Sequence, residues 1–147
     1  MMTSPYFEMT NDIELRVTPM FLSEFSAPEQ REYAFVYKVE LQNNYDDDIQ
    51  LLSKQIIIRD GNKEQYTLEF EDVNDEQACI PAGEMYDYTT YCPLETPTGS
   101  LRGSMTVMSL SSNEVFEVNI PLVFFRTELK IDAITEPQEF IPLALSV

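Results

Sequence analysis

The feature that most constrains this chain is a strict two-residue alternation over positions 33–41. Tyr33, Phe35, Tyr37, Val39 and Leu41 fall on one side, and Lys38 and Glu40 on the other. Successive side chains of a strand point to opposite faces, so this run makes a strand with one buried face, whereas helical winding would scatter its apolar residues. The same period recurs along the chain. Ile13, Leu15 and Val17 alternate with Glu14, Arg16 and Thr18, in a first strand that Pro19 is expected to end because proline has no N–H to give a ladder. After the turn formers at 43–48, β-branched residues fill 49–58, and Asp60-Gly61 predicts a hairpin into the alternating Tyr66, Leu68 and Phe70. Pro81-Ala82-Gly83 marks a turn into a strand over 85–91 with Tyr86 and Tyr88 on one side. Pro97-Thr98-Gly99 punctuates again, and 101–110 pairs with 115–125 across Ser111-Ser112-Asn113-Glu114. No segment carries helical periodicity, an internal repeat or a low-complexity tract.

About seven short strands, each with one face to hide, predict an all-β, immunoglobulin/fibronectin type III-like antiparallel β-sandwich, with a small closed barrel as the second choice. An antibody-type domain is excluded, since the chain has no Trp and its two cysteines, Cys79 and Cys92, lie too close in sequence. Both cysteines are expected to be reduced. The 147 residues suit one domain. Its expected layout is an N-terminal segment over 1–12, the sandwich over 13–126 and a tail over 127–147. That tail ends in Phe140-Ile141-Pro142-Leu143-Ala144-Leu145, which is expected to be ordered against protein and to contribute to self-association as a homodimer.

Charge and missing residue types narrow the function. With 26 Asp and Glu against 9 Lys and Arg the net charge is −17, and the basic residues form no sequence cluster, so nucleic acid and anionic membrane are excluded as partners. A protein partner should present a basic surface. The absence of a signal-like start and of a long apolar run predicts a soluble, cytoplasmic protein. There is no histidine, which removes Ser-His-Asp triads, Cys-His dyads and His-ligated zinc. No catalytic residues, metal or cofactor are therefore expected, and Cys92 has no base to make it a nucleophile. The acidic run Glu71, Asp72, Asn74, Asp75 and Glu76 is the candidate binding loop. Asp72, Asn74 and Glu76 have the alternate spacing of the first calcium-loop ligands, but Gln77 and Gly83 stand where that motif needs its glycine and its last carboxylate, so a solvated loop is the expectation. Asp46-Asp47-Asp48 is likewise expected to be a solvated turn tip. Tyr33, Tyr37, Tyr86, Tyr88 and Tyr91 either fill the core or line a binding surface.

From about Arg31 to about Phe125 the sequence resembles the ApaG domain family. The resemblance is carried by Val36-Tyr37, Ile49-Gln50-Leu51-Leu52, Ile80-Pro81-Ala82-Gly83-Glu84, Tyr86-Asp87-Tyr88-Thr89, the run from Leu94 through Pro97-Thr98-Gly99 to Gly103, and Phe116-Glu117-Val118-Asn119-Ile120-Pro121. Pro81, Gly83, Tyr88, Pro97, Gly99, Gly103 and Pro121 are its structural positions. Gly83 and Gly99 suit positive-φ turns, Gly103 suits a bulge or close backbone approach, and Pro121 suits an edge or bulge near a strand end. The resemblance implies a fibronectin type III-like sandwich used as a free-standing bacterial protein and inside eukaryotic adaptors, hence a non-enzymatic interaction module. It implies as the alternative a divalent-metal or nucleotide/pyrophosphate binder linked to cobalt and magnesium homeostasis. Two departures stand out. Phe70, Asp72 and Asp75 occupy positions that are glycine in the family, where carboxylates would repel a phosphate, and Ile56 stands where the family usually has Trp.

Overall fold

The computed structural model describes residues 5–71 and 78–127. They form two antiparallel sheets with no α-helix among the described residues, so the molecule is a sandwich and not a closed barrel. The strands are β1 (Tyr6–Thr10), β2 (Ile13–Phe21), β3 (Tyr33–Asn43), β4 (Ile49–Asp60), β5 (Gln65–Glu71), β6 (Cys79–Ile80), β7 (Met85–Leu94), β8 (Thr98–Ser109) and β9 (Val115–Arg126). One sheet has the order β1-β2-β3-β7. The other has β5-β4-β8-β9, with β6 added to one end of β4. The strands beyond those expected are β1 and the two-residue β6. Two 3-10 turns, Ser23–Phe25 and Pro28–Gln30, link β2 to β3.

The alternation over 33–41 does what it predicts. Phe35, Tyr37, Val39 and Leu41 are buried between the sheets while Lys38 and Glu40 face out. Phe35 anchors the core, its ring 5.2 Å from those of both Phe21 and Phe125. Aromatic pairs at such spacing add to the hydrophobic gain of burial. Ala34 and Val36, on the opposite face of β3, are buried as well, under Leu22 and beside Met20 and Tyr91.

Four expectations are corrected. β2 does not end at Pro19 but runs through it, with Pro19 opposite Tyr37; among the described residues the pairing of β2 with β1 reaches only to Val17, so Pro19 owes no N–H to a ladder there. The sheet also takes in Tyr6–Thr10, so the sandwich begins before Ile13. Gly99 lies within β8 without a left-handed backbone; a Cβ there would meet Leu94 Cδ1 at 2.6 Å and the Arg59 carbonyl oxygen at 2.9 Å, so close approach is what requires glycine. Pro121 lies in the middle of β9 and not near its end, although the expected edge and bulge both hold: β9 is an edge strand among the described residues, and the β8–β9 register shifts there between Leu101 and Gly103.

Other motif positions behave as read. Gly83 has φ +86° in the turn where Glu84 N–H donates to the Pro81 carbonyl at 3.0 Å. Gly103 lies at that bulge, and a Cβ on it would come within 2.0 Å of the Gln55 carbonyl oxygen. Pro97 is exposed in the turn between β7 and β8. Both cysteines are free thiols, Cys79 exposed and Cys92 buried.

Candidate functional site

The two flanks of the sandwich are built differently. Where β1 and β9 adjoin, the sheets are joined: Asn119 N–H donates to Thr10 Oγ1 at 3.2 Å, and the Tyr6 and Phe124 rings lie 6.3 Å apart. At the other flank β5 and β7 are edge strands, each with a ladder on one side only among the described residues. Tyr66, Leu68 and Phe70 lie opposite Ile58, Ile56 and Lys54 and so share their inward face. The four-stranded sheet stops at β7, however, and this apolar row overhangs it, which leaves Tyr66 at 45% and Phe70 at 37% exposure.

A bulge puts a cation on that inward face. Ile49 and Leu51 point into the core, but the β4–β8 register shifts between Leu51 and Ser53, so Leu52 is an extra residue and the inward set becomes Lys54, Ile56 and Ile58. Lys54 Nζ lies 4.2 Å from the centre of the Tyr88 ring and 5.6 Å from that of Phe70, a cation–π bridge between the two sheets. Behind it is a cavity of about 200 Å³ lined by Tyr37, Lys54, Ile56, Phe70, Tyr88 and Thr90. Ile56 and Phe70 thus line one cavity, with the buried Ile56 at its floor and the exposed Phe70 ring at its mouth.

The tyrosines divide among three places. Tyr37 is buried; burial pushes its phenol above the ordinary range, the adjacent Cys92 adds to this and a hydrogen bond with Thr90 partly offsets it. Tyr86 and Tyr88 are half-buried at the open flank, ring centres 6.0 Å apart. Tyr33 packs on the main core, and Tyr91 points to the outer face beside Leu22 and Val36. Tyr33 and Tyr91, with Phe25, Arg31 and Pro93, line a shallow groove of about 750 Å³ there. Burial raises the Cys92 thiol to about 12, which leaves it inert as a nucleophile.

The acidic loop falls outside the described residues at Asp72, Asn74, Asp75 and Glu76, while Glu71 ends β5 with its backbone opposite Ser53. The 46–48 turn is described: Asp46 and Asp48 are exposed, as expected of a turn tip, but the turn is also tied to distant segments. Asp47 accepts hydrogen bonds from Ser109 Oγ, from Ser111 Oγ at 2.7 Å and from Ser111 N–H at 2.9 Å, and these bonds hold its carboxyl down at about 2. Asp48 Oδ1 accepts from Ala82 N–H at 2.9 Å. Beneath them the buried Asn43 side chain donates to the carbonyls of Asp47 and Ile80. The acidic turn ties three chain segments together at one end of the sandwich.

The open flank lies within a recognisable domain. The family model of the ApaG domain matches residues 23–109, which hold the whole cavity lining. The chain belongs to the ApaG family. Protein ApaG of Methylobacterium sp. (strain 4-46) is 38% identical over 116 residues, covering 79% of this chain and 88% of that protein. Protein ApaG of Caulobacter vibrioides is 34% identical over 119 residues, covering 81% and 84%. Among solved structures, one described as an ApaA protein from Bordetella pertussis superposes with a TM-score of 0.72 at 30% identity, covering 84% of this chain and 96% of that one. Family membership accords with the sandwich fold. Lys54 escaped the sequence reading because the bulge that turns it inward has no glycine or proline to announce it.

Proposed function

We propose that this ApaG-family chain is a non-enzymatic interaction module that takes up an extended segment of a partner protein along the open flank between β5 and β7. The observation that carries this is the asymmetry of the sandwich: β1 and β9 close one flank, while at the other, among the described residues, β5 and β7 each have a ladder on one side only and border an aromatic cavity. Edge strands present backbone N–H and C=O groups to an incoming strand, and alternate side chains of that strand fill pockets beside the edge. The net charge of −17 favours a partner that is basic outside the segment. The rival, a divalent-metal or nucleotide binder, has its candidate ligands almost wholly outside the described residues.

Selection of peptides from a random display library on the full chain, followed by hydrogen-exchange mapping, tests this reading. The selected peptides should slow exchange in β5 and β7, and Phe70→Asp should abolish their binding while the melting temperature stays close to wild type. Protection confined to other strands would refute it. Saturable heats with magnesium, cobalt or a nucleotide panel would favour the rival instead.

A further inference from the structure

A second surface, independent of the open flank, lies on the outer face of the five-stranded sheet. Five arginines occur in the chain, and three of them, Arg59, Arg102 and Arg126, project from this one face. Arg59 lies opposite Ser100 on β8, and Arg102 lies opposite Ile57 on β4, which makes the two arginines diagonal neighbours about 7–8 Å apart along the backbone. Arg126 lies opposite Thr98, two residues beyond Phe124, which itself lies opposite Ser100.

All three are exposed, and none has an ion pair among the described residues, where the salt bridges involve only Arg16 and Lys38. That is unusual in a chain with nearly three carboxylates for every basic residue. Among them the face is apolar: Leu122 is 49% and Phe124 46% exposed, and Ile57 is half-buried. Carboxylates on this face lie farther along the strands, where Glu69 is held by Gln55 Nε2 at 3.1 Å and Glu117 stands opposite Thr106. The face is therefore basic and apolar near the Asp60-Gly61 hairpin and acidic at its other end.

We propose that this arginine face binds an extended acidic segment of a partner protein. In an extended chain, side chains on one side repeat at about 6.6–6.8 Å, so carboxylates two or four residues apart fall in register with the arginines. Each guanidinium can then grip a carboxylate with two parallel N–H···O bonds. An aliphatic side chain of the same segment settles on Leu122 and Phe124. The occupant must be short in charge. The field of a −17 protein repels a long polyanion such as nucleic acid, whereas a few carboxylates feel mainly the arginines within a Debye length of about 8 Å.

The test uses the full chain and three fluorescent or label-free probes: a decapeptide alternating Glu and Val, its Lys-for-Glu counterpart, and inorganic phosphate. The acidic peptide should bind saturably, and Arg59→Glu with Arg102→Glu should weaken it by at least about tenfold while the melting temperature holds. If that double variant does not fold, Arg102→Gln alone should still weaken binding several-fold. Absence of saturable binding, or binding indifferent to both variants, overturns the proposal. So does tight binding of phosphate with the acidic peptide refused, or self-association in sedimentation that the charge reversal abolishes, since the occupant would then be a small anion or a second copy.

Discussion

The same sandwich has one flank that is sealed and one that is not, although both carry inward-facing aromatic rings. At the sealed flank, β9 sends Val123 and Phe125 into the core, where Phe125 packs on Phe35 and Tyr37 of β3, and both are fully buried. At the open flank, β5 turns Tyr66, Leu68 and Phe70 to the same inward side, yet two of the three stay exposed because, among the described residues, the facing sheet stops at β7. Inward orientation and burial are therefore separate things. The first is set by alternation and register; the second depends on how many strands the other layer has. A row of apolar residues that faces inward without being buried is where a sandwich can accept an outside strand with little rearrangement.

Removing the same ring on each side should separate these cases most sharply. Phe125→Ala should cost about 3–5 kcal/mol, because it opens a cavity against Phe35 and Tyr37, whereas Phe70→Ala should cost less than about 1 kcal/mol. Denaturant titrations of the two variants measure both. Near-equal losses would mean that the open flank is packed as tightly as the sealed one.

The next effect concerns the polar knot that joins the β3–β4 turn to the β8–β9 turn. The Asp47 carboxyl is held at about 2, below its ordinary 3.8, by bonds from Ser109 and Ser111. A depressed carboxyl stabilises the fold fully above the unfolded value, and that contribution fades as the pH falls from about 4 through about 2. Thermal melts of wild type should drop across that window more steeply than those of Asp47→Asn. Parallel curves would show that the knot adds nothing to stability. The smallest effect is global: at −17, added salt screens self-repulsion, so the melting temperature should rise modestly from low to moderate ionic strength. A flat salt series would argue that the charges are already balanced locally.

How much of this was legible in sequence varies by element. The strand over 33–41 and the Asp60-Gly61 and Pro81-Ala82-Gly83 turns could be read directly, because alternation and turn chemistry are local. β1 could not, since its apolar Phe7 and Met9 point to solvent and nothing in five residues marks them as a strand. Pro19 misled for a related reason: whether a proline ends a strand depends on which neighbour its edge faces, and that is a property of the sheet. Asp47 looked like one of three solvated carboxylates until the fold brought Ser109 and Ser111 to it from more than sixty positions away. At the candidate site, Tyr88 and Phe70 were visible, but Lys54 depended on a bulge that exists only where β4 and β8 meet.

The pairing of Tyr6 with Phe124 also bears on modular use of the domain. The strands through which the polypeptide enters and leaves the sandwich run side by side, with Thr10 bonded to Asn119 at one end and the two rings together at the other. A domain entered and left at neighbouring points can be spliced into a longer polypeptide, or circularly permuted, without dismantling its sheets. Because both points lie at the sealed flank, a splice made there leaves β5 and β7 untouched.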